Sequence, residues 1–160
     1  MEITIANKPA TIERRDLIKA AEFYAKTLMN AQLVKNLKID IEFNNLKGDH
    51  IEAQCNWEDR NVRPRWFTIQ IDRNKSRRKI LTLLAHEMVH VKQHATDESR
   101  NDLANSNLHI WQGKVVDEDK FDYYDLPWEI EAFGREQGLY TRFMIEQRAI
   151  HRAKAAKKTT

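Results

Sequence analysis

The side chains best suited to chemistry lie in the pentapeptide His86-Glu87-Met88-Val89-His90 of this 160-residue chain. On an α-helix, residues four apart share one face, so both imidazoles could bind one metal ion while Glu87 points into the adjacent space. Two histidines and a neighbouring carboxylate are typical of zinc sites that activate water. The spacing therefore predicts a Zn²⁺ site with His86 and His90 as ligands and Glu87 as the general base.

The residues around this pattern predict that its helix is buried. Apolar side chains precede it and follow it, namely Ile80, Leu81, Leu83, Leu84, Ala85, Met88, Val89 and Val91. Burying two imidazoles and a carboxylate is costly unless something satisfies them, and a bound cation does so directly. The alternative is a core helix whose polar residues pair with one another or with backbone carbonyls.

A catalytic zinc ion needs a third protein ligand and one open position. His94 continues the four-residue spacing, but along a straight helix it lies about 12 Å from His86, too far to share a tetrahedral ion. His109, in the predicted strand Leu108-His109-Ile110-Trp111, is an alternative third ligand that could fold back over the site.

A carboxylate of the last helix is the favoured third ligand. Pro127 fits the first turn of that helix, and acidic residues suit its positive end. Glu131 is the main candidate because the small neighbouring Ala132 would let the helix approach the metal site closely. Glu129 is the rival, but it lies about 160° around the helix from Glu131, so only one of the two can face the metal. In the alternative view, both acids only stabilise the helix N-terminus.

The two motifs together resemble a known family. The segment 86–90, followed about forty residues later by Glu129-Ile130-Glu131-Ala132, is similar to the minimal zincin metallopeptidases of the ImmA/IrrE and SprT-like type. In the ImmA/IrrE group, a similar Glu-x-Glu-Ala segment supplies a carboxylate as the third zinc ligand. The resemblance implies a zinc endopeptidase that acts on a protein or peptide substrate, with Zn²⁺ held by His86, His90 and Glu131 and with Glu87 as general base.

The chain departs from both family patterns at single positions. Ile110 follows His109, where SprT-like proteases have a His-Gly segment that supplies a third histidine. Phe133 follows Ala132, where the ImmA/IrrE pattern continues with asparagine, and Lys92 occupies a usually apolar position after the first motif.

The elements that would position these residues can be predicted from hydrophobic periodicity. Helical spacing predicts a helix over 11–29 with Thr11 as its cap, and period-two alternation predicts strands at 37–43, 51–57 and 66–71, with a turn at 44–49. A loop at 97–107, a fourth strand at 108–116 interrupted by Gly113, and a helix from about Trp128 toward Ala156 should follow. Gly134 and Gly138 indicate either close packing or a bend beside the site, or an irregularity that the helix accommodates.

The predicted fold class is α+β, and the family resemblance makes it zincin-like. A small three- to four-stranded sheet, antiparallel or mixed, would pack with the N-terminal helix, the metal-bearing helix and a long C-terminal helix. We predict a metallopeptidase domain at 1–147 and a basic helix end or tail at 148–160. No apolar run is long enough to cross a bilayer, and the beginning of the chain does not have the order of a signal peptide. The single cysteine, Cys55, cannot form an internal disulfide, so we expect a cytoplasmic protein without membrane contact.

Two basic clusters bear on possible partners. The tail carries Arg148, Arg152, Lys154, Lys157 and Lys158 after its last acid, and five more basic residues lie at 73–79. These clusters could hold nucleic-acid phosphates. Alternatively, they pair with the acidic stretch at 117–125 or form a solvated surface.

A second class of function therefore stays open, a non-catalytic zincin-fold binding or assembly protein that associates with nucleic acid. Glu87 favours the enzyme, because a purely structural zinc site has no use for it and favours a fourth protein ligand. An enzyme would also need a donor for the oxyanion of its intermediate. Spacing does not choose among the candidates Tyr123, Tyr124, His109, Arg135 and Tyr140.

Overall fold

The secondary structure is known from a computed structural model that describes residues 1–46, 51–59, 61–101 and 108–157. Within these ranges the chain is an α+β protein with four helices and two small sheets. The elements are β1 (Glu2–Ala6), α1 (Arg14–Leu28), α2 (Ala31–Lys35), β2 (Lys38–Asn44), β3 (Ala53–Trp57), β4 (Trp66–Asp72), α3 (Arg77–Ala95), β5 (Ser99–Asn101), β6 (Leu108–Trp111), β7 (Lys114–Asp117) and α4 (Pro127–Ala156). Two 3₁₀ turns, Glu118–Lys120 and Tyr123–Asp125, lie between β7 and α4.

The larger sheet is mixed and has the strand order β1-β2-β4-β3. Strands β1, β2 and β4 run parallel, and β3 is antiparallel to β4 at one edge. The register places Ile5 beside Ile41 and Ile41 beside Ile69, so apolar side chains line up on one face of the sheet. That face is part of a single core with α1 and α3, which confirms the alternation predicted for β2 and β4.

Strand β1 is missing from the sequence prediction. Its Ile3 and Ile5 do alternate with polar residues, but a five-residue segment gives only a weak periodic signal. Pairing with β2 along its whole length is what makes this segment a strand. A parallel partner that is distant in sequence cannot be identified from local pattern alone.

Helix α1 contacts both α3 and α4 through the side chain of Tyr24. The ring of Tyr24 lies 5.8 Å from that of Phe143 on α4, and the Tyr24 hydroxyl donates a hydrogen bond of 3.1 Å to the Leu81 carbonyl on α3. The predicted helix is confirmed, but the prediction of Thr11 as its cap is wrong. The N-cap residue is Glu13, whose side chain makes no capping hydrogen bond.

The smaller sheet has the order β5-β6-β7 and differs from the prediction. The single interrupted strand predicted at 108–116 is a hairpin, because Gln112 and Gly113 both have positive φ, 49° and 78°, as a two-residue type I′ turn requires. Strand β5 lies inside the predicted loop at 97–107, of which residues 102–107 fall outside the described residues. The same holds for residues 47–50, which contain the second half of the predicted turn at 44–49.

Helix α4 is continuous and begins at Pro127, as predicted. A Cβ atom added at Gly134 or Gly138 would meet nothing within 4 Å, so neither glycine is required by close packing. The helix simply accommodates both. None of the helices in the described ranges has a stretch long and apolar enough to cross a membrane.

Candidate metal centre

Helix α3 holds the two histidines of the motif in the interior of the fold. It begins at the N-cap residue Ser76, whose hydroxyl accepts a hydrogen bond from the Lys79 amide, and its central turns are buried. Because His86 and His90 are four residues apart, their rings stand together with centroids 4.9 Å apart. Their Nε2 atoms lie 3.1 Å from each other, close enough to bind one ion.

Glu129, in the first turn of α4, completes a group of three. Its Oε2 lies 3.3 Å from His86 Nε2, and its Oε1 lies 3.5 Å from His90 Nε2. His86, His90 and Glu129 form the one set of at least three metal-ligating side chains found among the described residues, with ligand atoms within 4.8 Å of one another. A buried His86, His90 and Glu129 group could therefore bind a metal ion.

Glu131, predicted from the sequence as the third ligand, does not belong to this group. Its Oε1 lies 2.9 Å from Lys92 Nζ and 2.8 Å from Arg135 Nε, and its Oε2 accepts a hydrogen bond of 3.0 Å from Gln93. Helix α4 crosses α3 so that Glu129 reaches residues 86–90 and Glu131 reaches residues 92–93. The structure therefore puts Glu129 in the position predicted for Glu131, while only one of the two faces the histidines, as the helix geometry requires.

The outer nitrogen of each histidine also has a partner. His86 Nδ1 lies 2.9 Å from Glu136 Oε2, and His90 Nδ1 lies 2.8 Å from Gln93 Oε1. Both partner oxygens are acceptors, so each Nδ1 must carry the hydrogen and donate it. Metal-binding histidines are typically held in this way by a second layer of acceptors.

This arrangement directs two nitrogen lone pairs and a carboxylate oxygen toward the centre of the group. With hydrogens on Nδ1, the two neutral imidazoles direct their Nε2 lone pairs toward each other and toward Glu129. Glu129 Oε2 is buried and has no hydrogen-bond partner of good geometry. A cation, either a proton or a metal ion, satisfies two nitrogen lone pairs and a carboxylate oxygen that point into one space.

The acid–base properties of the metal-free group follow from the same contacts. Burial alone would lower the pKa of His86, but hydrogen bonds with Glu129 and Glu136 outweigh it and raise the pKa to about 9. Burial alone would raise the pKa of Glu129, but the hydrogen bonds from His86 and His90 lower it to about 2. Without metal, the group therefore keeps Glu129 ionised and binds a proton on the histidines.

The distances within the group fit a small tetrahedral ion. A zinc ion with ligands at roughly 2.0–2.1 Å keeps neighbouring ligand atoms about 3.3–3.4 Å apart. The two Nε2 atoms are 3.1 Å apart, and each imidazole lies close to a different oxygen of Glu129, at 3.3 Å for His86 and 3.5 Å for His90. Two imidazoles and one carboxylate are also a donor set found in zinc hydrolases. The residues present therefore fit Zn²⁺, although the donor set alone does not identify the metal.

Glu87 lies beside the group and is almost completely buried, with 4% of its surface exposed. Burial raises the pKa of its carboxyl to about 7, against the lowering effect of the nearby His90 and His86. A carboxylate with this pKa can both accept and release a proton near neutral pH. It is the one polar residue of the segment 86–90 that does not belong to the His86, His90 and Glu129 group.

A cleft of about 730 Å³ gives access to the group. One wall is formed by residues 51–55 and Trp57, which belong to the edge strand β3 and the segment before it. The opposite wall includes Tyr123, Tyr124, Phe133 and Glu136. The Phe133 ring contacts that of His86 with centroids 4.6 Å apart, so the aromatic wall reaches the metal-ligand group itself.

The other histidines considered from the sequence lie in the same cleft but have other partners. His94 Nδ1 lies 2.9 Å from the Ser99 carbonyl oxygen, and burial lowers the pKa of its imidazole to about 4. His109 lies 2.6 Å from the Ser99 hydroxyl and 3.3 Å from Glu118, and it stacks on Trp128. Neither histidine is part of the three-residue group.

Of the five candidate oxyanion donors, three line the cleft and two have contacts elsewhere. Tyr123, Tyr124 and His109 line the cleft. Arg135 pairs with Glu131, and Arg78 lies over the ring of Tyr140. Burial and the neighbouring Glu129 raise the pKa of Tyr123, so its hydroxyl stays protonated and able to donate.

Two residues of the centre, Gln93 and Glu136, are absent from the sequence prediction. A signal for Glu136 was present, because Glu129, Phe133 and Glu136 are spaced at i, i+4 and i+7 and share one helix face. All three contact His86. Gln93 gives no comparable signal beyond its position three residues after His90.

The basic cluster at 73–79 is largely paired within the fold. Lys75 and Lys79 both contact Glu52, at 2.8 and 2.6 Å, and Arg77 contacts Asp16 at 2.9 Å. These acids differ from the stretch at 117–125 considered from the sequence. The basic residues of the tail that the structure describes, Arg148, Arg152, Lys154 and Lys157, are exposed near the end of α4.

Comparisons with known proteins add no evidence on function to this geometry. No protein-family model matches the chain, and neither a curated protein nor a solved structure is significantly similar to it.

Proposed function

We propose that this protein is a zinc-dependent metallopeptidase of the minimal zincin type. The observation that carries the proposal is the His86, His90 and Glu129 group, placed beside the buried Glu87 at the base of an open cleft. This combination has three protein ligands and an adjacent base, as hydrolytic zinc sites do. The proposal replaces Glu131 by Glu129 as the third ligand.

His86, His90 and Glu129 would hold the metal ion. When bound, zinc supplies a Lewis acid that polarises a carbonyl group and makes water more acidic. Glu136 and Gln93 orient the two imidazoles by accepting their Nδ1 hydrogens. The protein thus provides a preformed ligand set, which limits the reorganisation that metal binding requires.

Glu87 would move the proton. As a carboxylate it accepts a proton from the attacking water, and as the acid it then passes that proton to the amine that leaves the broken peptide bond. Its pKa of about 7, raised by burial, allows both steps near neutral pH. Glu87 makes this contribution because it lies in the cleft without being used as a ligand.

Strand β3 would align the substrate. It pairs with β4 on one side only, because it is at the edge of the sheet, and it forms one wall of the cleft. An extended peptide can add to such an edge through main-chain hydrogen bonds. Antiparallel β3 beside the motif helix α3 is the feature that supports the zincin-like expectation for the fold.

A protein that keeps the metal group for binding or assembly alone is the alternative. A structural zinc site is closed by four protein ligands, whereas three ligating residues form this group among the described residues. The buried Glu87 would also have no role in a structural site. Both observations favour the peptidase.

The test is zinc content and peptidase activity of wild type and Glu87→Gln, purified side by side. Glu87→Gln removes the base but no proposed ligand, so we expect one zinc per chain in both proteins. Proteolysis of unfolded casein or a peptide library should fall about 10²–10⁴-fold in the variant. Equal activity in both preparations would point to a contaminating protease. Full zinc content without wild-type cleavage would support the binding protein instead.

A further inference from the structure

The amide of Gln93 connects a ligand histidine to the carboxylate that the sequence suggested as a ligand. Gln93 is fully buried, with 0% of its surface exposed. Its Oε1 lies 2.8 Å from His90 Nδ1, and its Nε2 lies 3.0 Å from Glu131 Oε2 and 3.0 Å from the Trp128 carbonyl oxygen. Both amide hydrogens and the amide oxygen therefore have a partner.

These contacts determine the orientation of the amide. The Trp128 carbonyl can only accept, and Glu131, which Lys92 and Arg135 hold as a carboxylate, can also only accept. The NH₂ end of Gln93 must therefore face Glu131 and Trp128, and its oxygen must face His90. A flipped amide would direct its oxygen at two acceptors, which is unfavourable in a buried site.

The orientation of the amide in turn determines the tautomer of His90. An acceptor beside Nδ1 requires the hydrogen on Nδ1, which leaves the Nε2 lone pair free to face His86 and Glu129. The neighbouring ligand is held differently, because His86 donates directly to Glu136, whose side chain is 21% exposed.

We propose that Gln93 and Glu131 are positioning residues that hold His90 in the tautomer and orientation needed to bind the metal ion. Glu131 acts through Gln93, since its own contacts are with Gln93, Lys92 and Arg135. This inference rests on the metal site of the proposed function. It gives Glu131 a role in the centre that does not include contact with the ion.

The first part of the test measures zinc affinity by competition with a chromophoric chelator. Glu131→Gln replaces a group that can only accept a hydrogen bond by an amide that can also donate one to Gln93. We therefore expect zinc affinity to fall about 10–100-fold. Glu98→Gln is the matched control, since the Glu98 side chain also contacts Lys92, whereas its link to Gln93 is a hydrogen bond between backbone groups that the substitution leaves in place. We expect this control to bind zinc as wild type does.

The second part separates positioning from a simple effect of charge. If Glu131 acts through Gln93, adding Glu131→Gln to Gln93→Leu should cause no further loss of affinity beyond that of Gln93→Leu. A direct electrostatic effect of Glu131 on the ion would persist in the double variant, and that result would overturn the inference. Thermal unfolding of each variant verifies folding, and Gln93→Met replaces Gln93→Leu should the latter fail to fold.

Two further outcomes are distinguishable. Wild type that binds no zinc would overturn the proposed function and this inference together. Wild type that binds zinc, with unchanged affinity in Glu131→Gln, would overturn the inference alone. Nitrogen-15 NMR of the histidine rings provides a readout without metal, and we expect the hydrogen of His90 on Nδ1 in wild type and a mixture of tautomers in Gln93→Leu.

Discussion

The two sides of the first turns of α4 carry the same side chain in opposite surroundings. On one side, Glu129 faces the imidazoles of His86 and His90, and its recorded contacts include no lysine or arginine. On the other side, Glu131 faces Lys92 and Arg135. The pKa of both carboxyls is lowered, although burial opposes the change in each.

The difference shows what separates a candidate metal ligand from an ion-pair partner. Glu131 has its charge balanced by two permanent cations of the protein. Glu129 is balanced by imidazoles, which are cationic only while they hold a proton. An exchangeable proton can be replaced by a metal ion, whereas the charge of Lys92 or Arg135 cannot be given up near neutral pH.

The largest effect is expected from changing Glu129 itself. Glu129→Gln removes the negative ligand while keeping the side-chain volume, and we expect zinc affinity to fall more than about 100-fold, beyond the range of second-layer changes. Glu131→Gln should stay within that range. Equilibrium dialysis with zinc analysis compares the two directly. Equal losses in both variants would contradict the assignment of Glu129 as the ligand.

A smaller, graded effect is expected from pH. The pKa of His86 is raised to about 9 in the metal-free group, so a proton occupies this histidine below that pH and competes with zinc. Zinc affinity should therefore be greatest above pH 9 and fall about tenfold for each unit of decrease toward pH 7. Calorimetry in buffers of different ionisation enthalpy should show about one proton released per zinc at pH 7.5. Affinity that is constant between pH 7 and 9 would exclude the proton competition.

Removing Lys92, the α3 residue that faces Glu131, should affect stability rather than metal content. Lys92 is largely buried and contacts both Glu131 and Glu98, so Lys92→Met leaves two carboxylates without their shared cation. We expect the free energy of unfolding to fall by about 1–3 kcal/mol. Urea unfolding of the metal-free protein measures this change. A variant as stable as wild type would show that Arg135 alone balances Glu131.

The smallest effect is expected from the second cation of Glu131. The Arg135 side chain is 51% exposed, and exposed ion pairs contribute little because water screens them. Arg135→Ala should therefore lower the free energy of unfolding by less than about 1 kcal/mol. The same urea experiment, run beside Lys92→Met, ranks the two cations. A larger loss for Arg135→Ala would contradict the expectation that the more buried cation contributes more to the free energy of unfolding.

Much of the fold was predictable because its signals are local. The alternation of β2 and β4 and the helical spacing of α1 each reflect one buried face, which a sequence pattern records directly. The apolar residues around 86–90 likewise indicate that the centre of α3 is buried. Strand β1 and the hairpin of β6 and β7 were not predicted. The first depends on a partner 36 residues away, and the second on positive φ at Gln112, a residue type that does not predict such a turn.

The sequence determined which helix carries the two histidines, and the tertiary structure determined which carboxylate lies beside them. The i, i+4 spacing alone brings His86 and His90 together, because it is a property of one helix. Which of Glu129 and Glu131 faces the histidines depends on how α4 crosses α3. A small shift of α4 along α3 would change whether a carboxylate lies beside the histidines or beside Lys92 and Gln93. Lys92 was the available clue, because a cation on a buried helix needs a carboxylate of its own, and Glu131 supplies it. Only the packed structure shows that Glu129 is the carboxylate beside the two histidines.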